Sequence, residues 1–131
     1  MSSLLGAIDA SASALNAQRA RMEVAVSNLA NAESTHGPDG QPYRRRDIVL
    51  SSSPIESFDS ALGRADAVGV KVAAVLEDTH PFRRRYEPSH PDADKEGFVS
   101  MPNVDVPEEM VDMLGAARAY QANLTAISVI R

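Results

Sequence analysis

The opening segment does most to limit what this chain can become: from Ser3 to Asn31 there is no proline, and Gly6 is the only glycine. Ala, Leu, Gln, Arg, Met and Glu dominate it, and all of them favour helix. A helix of that length is roughly 43 Å long. Met1, Ile8, Leu15, Met22 and Leu29 recur every seven residues, with Leu4, Leu5 and Val26 beside them. That pattern is a narrow seam of the coiled-coil type, not the broad apolar face of a globular helix. One seam against one partner does not repay the ordering of so long a segment. The flanking Ala10, Ala12, Ala14, Ala17 and Ala20 bury little area but let other helices approach closely. The helix is therefore expected to be ordered by several neighbours.

The end of the chain repeats the design. Pro107 suits a first helical turn, and Glu108 and Glu109 complement the positive end of a helix dipole. From there Met110, Met113, Ala117, Tyr120, Leu124 and Ile127 follow alternating steps of three and four, a second heptad seam.

Between the helices the period changes. Tyr43–Leu50 and Val68–Leu76 are rich in β-branched residues, and Val68, Val70 and Val72 alternate as in a half-buried strand. Phe82–Tyr86 and Gly97–Met101 are shorter strand candidates, and the stretch from Ser51 to Ala67 reads as a polar loop. Tyr43, Phe58, Phe82, Tyr86 and Phe98 all fall here, which predicts a separate small β core. The expected fold class is α+β: long N- and C-terminal helices forming a coiled-coil-like pair, with a small β-rich region between them. The expected organisation is a helical segment over 1–35, a β-rich region over 36–104 with its loop at 51–67, and a second helical segment over 105–131.

Composition narrows the function. The chain of 131 residues has no cysteine and a net charge of −5, so a thiolate metal site and general nucleic-acid affinity are both disfavoured. His36, His80 and His90 lack the i, i+4 helical spacing of a zinc pair. No nucleophile elbow or phosphate-binding glycine loop occurs; "GPDG" at 37–40 is turn chemistry. No cofactor is expected. The N-terminus does not read as a cleaved secretory signal, and no stretch is apolar enough for a membrane span. Two arginine triplets remain. On strands they would present Arg44 with Arg46, and Arg83 with Arg85, on one face. Charge pairing between subunits, with Glu108 and Glu109 among the acidic partners, solvated edge-strand protection and a nucleic-acid contact are, in that order, the three readings of these arginines.

The blocks "SNLANAEST" at 27–35 and "ARAYQANL" at 117–124 resemble the N- and C-terminal signatures of the bacterial flagellar rod and hook proteins. Between them, "GPDGQPYRRRDIVL", "YEPSHPDADKEGFVSMPNVDV" and "EEMVDMLGAARAYQANL" resemble the proximal rod subunits of that family, so the likeness covers nearly the whole chain. The resemblance implies a non-enzymatic structural protein, exported unfolded through the flagellar type III apparatus without a cleaved signal. It would assemble with copies of itself and other rod proteins in the periplasmic rod of the basal body. The terminal helices would line a torque-transmitting tube with an export channel, and the β region would lie outside. The family's last helix usually runs further than Arg131. On this reading the assembly interface draws on Leu4, Ile8, Leu15, Met22 and Leu29 of the first helix. In the last helix it draws on Met110, Met113, Ala117, Tyr120, Gln121, Leu124 and Ile127. Asn28, Asn31 and Asn123 are expected to set subunit register, since a buried amide in such a seam specifies alignment at a cost in stability; the alternative is that Asn31 caps the helix end and the other two face solvent. The second reading is a small globular adaptor that binds a soluble partner through its charged faces.

Overall fold

The computed structural model of the chain describes residues 2–54 and 68–130. Helix α1 spans Ser2–Ala30 and helix α2 spans Val106–Ile130. Strands β1 (Arg46–Pro54) and β2 (Val68–Glu77) form one antiparallel pair, and β3 (Arg83–Tyr86) and β4 (Phe98–Met101) form a second. The last turn of α1 meets the first turn of α2, where Asn28 touches Glu109, so the two helices pack antiparallel. Helix α1 also packs against the β1–β2 hairpin. The Val70 N–H donates to Ser13 Oγ at 2.9 Å, tying β2 to the helix.

Local chemistry sets the helix ends. Asn31 stops α1: its own N–H and its Nδ2 both donate to the Ser27 carbonyl, and its Oδ1 accepts from Ser34. The Gly37–Gly40 turn follows, closed by Gly40 N–H to the Gly37 carbonyl at 2.9 Å, with Gly40 at φ +76°, a conformation that glycine adopts at no steric cost. At the other helix, Asp105 is the N-cap. Its carboxylate accepts the Glu108 N–H at 3.3 Å, and Pro107 occupies the first turn, where a missing N–H costs nothing.

Strand β1 runs through Ser51–Pro54, which the composition marks as loop. Backbone pairing to β2 holds these residues extended, with Ser52 opposite Val70 and Pro54 opposite Val68, so their polarity does not decide their conformation. The pairing steps from Val49–Ala74 to Leu50–Val72, which leaves Ala73 as a bulge. The rest of the expected loop, with Phe58, lies outside the described residues.

The β region has a small core of its own, at Val99, Met101, Pro102 and Val104, but its aromatic residues do not form it. Tyr86 and Phe98 meet edge to face at 5.3 Å, and guanidinium groups cover the rings, Arg44 over Phe82 at 4.3 Å and Arg84 over Phe98 at 4.6 Å. The cations shield these rings near the surface, which makes burial unnecessary. Among the described residues the buried apolar side chains are instead Ala17, Ala25, Val99, Met101, Val104 and Ala116, with Pro102. The buried apolar residues of the helices are alanines, and two fully buried side chains, Asn28 and Glu109, are polar.

Candidate functional site: the helix faces and the polar clasp beneath them

The seams deduced from heptad spacing divide when placed on the structure. In α1, Ile8, Leu15, Met22 and Leu29 are half-buried and Leu4 is exposed. They lie about a third of a turn from the buried line through Ala17, Ala25 and Asn28. In α2, Met113, Ala117, Tyr120 and Ile127 are half-buried, Met110 and Leu124 are exposed, and Gln121 is fully on the outside. The chain's own contact passes through Ala17, Ala25 and Ala116, because small residues let the backbones approach. Large apolar side chains are left outward on both helices: Leu5 and Val26 on α1, and Val111, Leu114 and Val129, the last 80% exposed, on α2.

Where α1, α2 and the β region converge, two polar side chains are fully enclosed, Asn28 at 0% exposure and Glu109 at 1%. Asn28 Nδ2 donates to the Arg46 carbonyl at 2.9 Å and to Glu109 Oε2 at 3.1 Å. Its Oδ1 accepts from Arg46 N–H at 3.0 Å and from the Tyr43 hydroxyl at 2.7 Å. All four hydrogen-bonding positions of the amide are thereby filled. Asn28 grips both backbone groups of Arg46 as a neighbouring strand would, and so sets the register of α1 against β1 within the chain.

The other oxygen of Glu109 pairs with Arg45 Nε. Arg45 also reaches Asp78 at 3.4 Å, Asp112 at 3.6 Å and Asp47 at 3.8 Å. Burial opposes its charge, yet the hydrogen bond and charge of Glu109, with Asp47 and Asp78, hold the guanidinium above its ordinary pKa. Asn103 completes the clasp: its Oδ1 accepts Arg45 N–H at 2.7 Å, and its amide donates to the carbonyls of Asp78 and His80. Among the described residues no buried polar side-chain atom lacks a partner.

The remaining predicted residues have local tasks. Asn31 terminates α1, and Asn123 donates to the Ala119 carbonyl one turn back. Arg44 binds the carbonyls of Asp78 and His80, and Arg83 binds that of Val104. Arg85 pairs with Glu33 at 3.0 Å and Glu87 at 3.4 Å. Arg46 serves the clasp through its backbone, and Glu108 lies exposed at the start of α2. The sequence reading passed over Arg45, the middle arginine of its triplet, because it grouped the two flanking ones. Strand alternation points Arg45 the other way, and Glu109 stands seven residues before Ala116, in phase with the small residues of α2.

Two family models match the chain: "Flagella basal body rod protein" over residues 8–38 and "Flagellar basal body rod FlgEFG protein C-terminal" over residues 95–131. The flagellar basal-body rod protein FlgC of Salmonella typhimurium is 48% identical over 128 residues, covering 98% of this chain and 90% of that protein. Its counterparts in Bacillus subtilis and Aquifex aeolicus are 45% and 39% identical over 95% and 100% of this chain. The chain belongs to the flagellar basal-body rod protein family. It is a structural subunit of that rod. The family models cover most of α1 and all of α2 in this rod protein, with Asn28 in one matched segment and Glu109 in the other.

The clasp gives the rod protein an acid-sensitive edge. Asp78 is held below the usual aspartate range, chiefly by the backbone N–H of His80, with further help from the His80 ring and Arg45 against the opposing effect of burial. A carboxylate depressed in the folded state adds stability that is complete above about pH 4, the unfolded value. That stability is lost as pH falls through the lower folded value. Replacing Asp78 with asparagine is expected to flatten the decline in melting temperature below about pH 4. An acid limb as steep as in the parent would show that Asp78 does not carry it.

Proposed function

We propose that the chain assembles axially with copies of itself and with other rod proteins into a tube that transmits torque and encloses an export channel. In this reading the helix pair forms the inner layers and the β region stands outside. The subunit passes unfolded through the flagellar type III export apparatus, without a cleaved signal, and is built into the rod in the periplasm. The observation that carries the reading is the outward placement of Leu5, Val26, Val111, Leu114 and Val129, while the buried apolar side chains of the helix pair are alanines. Such helices gain most of their burial from neighbours. Asn31 and Asn123 lie on these same helices, but their amides are engaged one turn back. Arg44, Arg45 and Arg83, which a charged-face adaptor would offer to a partner, are engaged within the chain.

Circular dichroism across a concentration series tests the proposal. The dilute chain is expected to show less helix than the 29 and 25 residues of α1 and α2, rising as the chain is concentrated. Full helicity in a compact monomer, indifferent to concentration, would refute it.

A further inference from the structure

The outward faces of the two helices carry charges in matching order and at matching spacing. On α1 one heptad line runs Leu5, Asp9, Ala12, Asn16 and Arg19, all exposed except the half-buried Ala12. On α2 a second line runs Glu108, Val111, Gly115, Arg118 and Ala122, all exposed. Ten residues separate acid from base on each line, Asp9 from Arg19 and Glu108 from Arg118. Set antiparallel with Asp9 opposite Arg118, the lines bring Arg19 opposite Glu108 and Ala12 opposite Gly115. A shift of one heptad would instead face Arg19 with Gly115, and a parallel alignment would oppose like charges.

Among the described residues these groups are nearly unengaged. Among the described residues, the ion pairs of these four charges reduce to one loose, exposed contact, Arg19 to Glu23 at 3.9 Å. Gly115 has open space where a Cβ would stand, so no neighbour among the described residues explains a helix-weakening glycine there. A glycine facing an alanine lets two helix backbones come close.

Resting on the rod reading, we infer that a second copy of this chain docks the outer line of its α1 on the outer line of α2. The alignment is antiparallel, with Asp9 on Arg118, Ala12 on Gly115 and Arg19 on Glu108. Inside one chain Arg118 is level with Arg19, by counting from the Asn28–Glu109 contact. Between copies it is level with Asp9, ten residues away, so successive copies are displaced by about 15 Å along the helix axis. The contact is heterologous: one face donates and a different face receives, which propagates instead of closing a pair. Leu5 meets Ala122 and Ala12 meets Gly115, and the charges choose the register.

The chain has no cysteine, which makes the test clean. Full-length Ala12→Cys and Gly115→Cys variants are mixed and oxidised. Within one chain these positions are about 15 Å apart along the axis, too far for a disulfide. The expected product is the mixed dimer, well above that from Ala12→Cys with Ala122→Cys, the pair one heptad out of register. Adding Arg118→Asp to the Gly115→Cys chain should lower the yield roughly tenfold, and Asp9→Arg on the other chain should restore it. A mixed dimer no more abundant than the control, or one indifferent to both charge reversals, overturns the inference. Incorporation of the cysteine-free chain into isolated rods, scored separately, distinguishes this failure from failure of the rod reading.

Discussion

Replacing Asn28 with alanine is expected to destabilise the folded chain by about 3 kcal/mol, read as a lower urea midpoint at unchanged slope. The amide makes four hydrogen bonds in a fully enclosed position, to Arg46 N–H and C=O, Tyr43 and Glu109. Truncation removes the bonds and leaves their partners facing a void, and an unmet buried polar group costs about 1–3 kcal/mol. The half-buried Tyr43 recovers water, which keeps the total below the sum of four such losses. Aspartate discriminates this account from simple packing. It keeps the acceptor for Arg46 N–H and Tyr43 but turns an oxygen toward the Arg46 carbonyl and the Glu109 carboxylate. Asn28→Asp is therefore expected to be worse than Asn28→Ala despite its near-identical shape. A midpoint for the alanine variant within experimental error of the parent would mean that the clasp contributes little to stability.

This asparagine also shows how far the sequence could be read. A poor helix former beside Leu29, in a long segment free of proline, signals a special task, and heptad logic offers register between subunits. Within the chain Asn28 aligns α1 against β1, a pairing of residues 28 and 46 that no periodicity contains. The helices themselves were legible because their evidence is local: composition, the Pro107 start and the Gly37–Gly40 break. The strands were legible where valines alternate and illegible at Ser51–Pro54, where the partner strand alone holds the backbone extended. Large residues at heptad spacing correctly marked both helices, but in each the chain's own packing chose the alanines of a different line. Spacing reports that a face is apolar; it does not say whether the same chain or another one covers it.

The Glu109–Arg45 pair provides the second large effect. Removing Glu109 strips the best-placed counterion from Arg45, and breaking a buried pair from one side typically costs about 3–5 kcal/mol. Asp78 at 3.4 Å and the more exposed Asp112 at 3.6 Å recover part of this, so Glu109→Ala is expected to lose about 3 kcal/mol. Glu109→Gln should lose less: its single carbonyl oxygen accepts from either Arg45 or Asn28, not from both, and its amide finds no acceptor in place of the other. Removing both charges with residues of similar volume, Arg45→Met with Glu109→Leu, is expected to recover much of the loss, because the pair's attraction largely offsets its desolvation. Amide hydrogen exchange at the start of α2 adds a local readout, since Glu109 is the link from that turn to Asn28 on α1 and to Arg45 ahead of β1. Protection near Val106–Leu114 should fall in Glu109→Ala more than at the far end of the helix. Unchanged protection there, together with a double variant no more stable than the single one, would mean that apolar contacts alone dock α2.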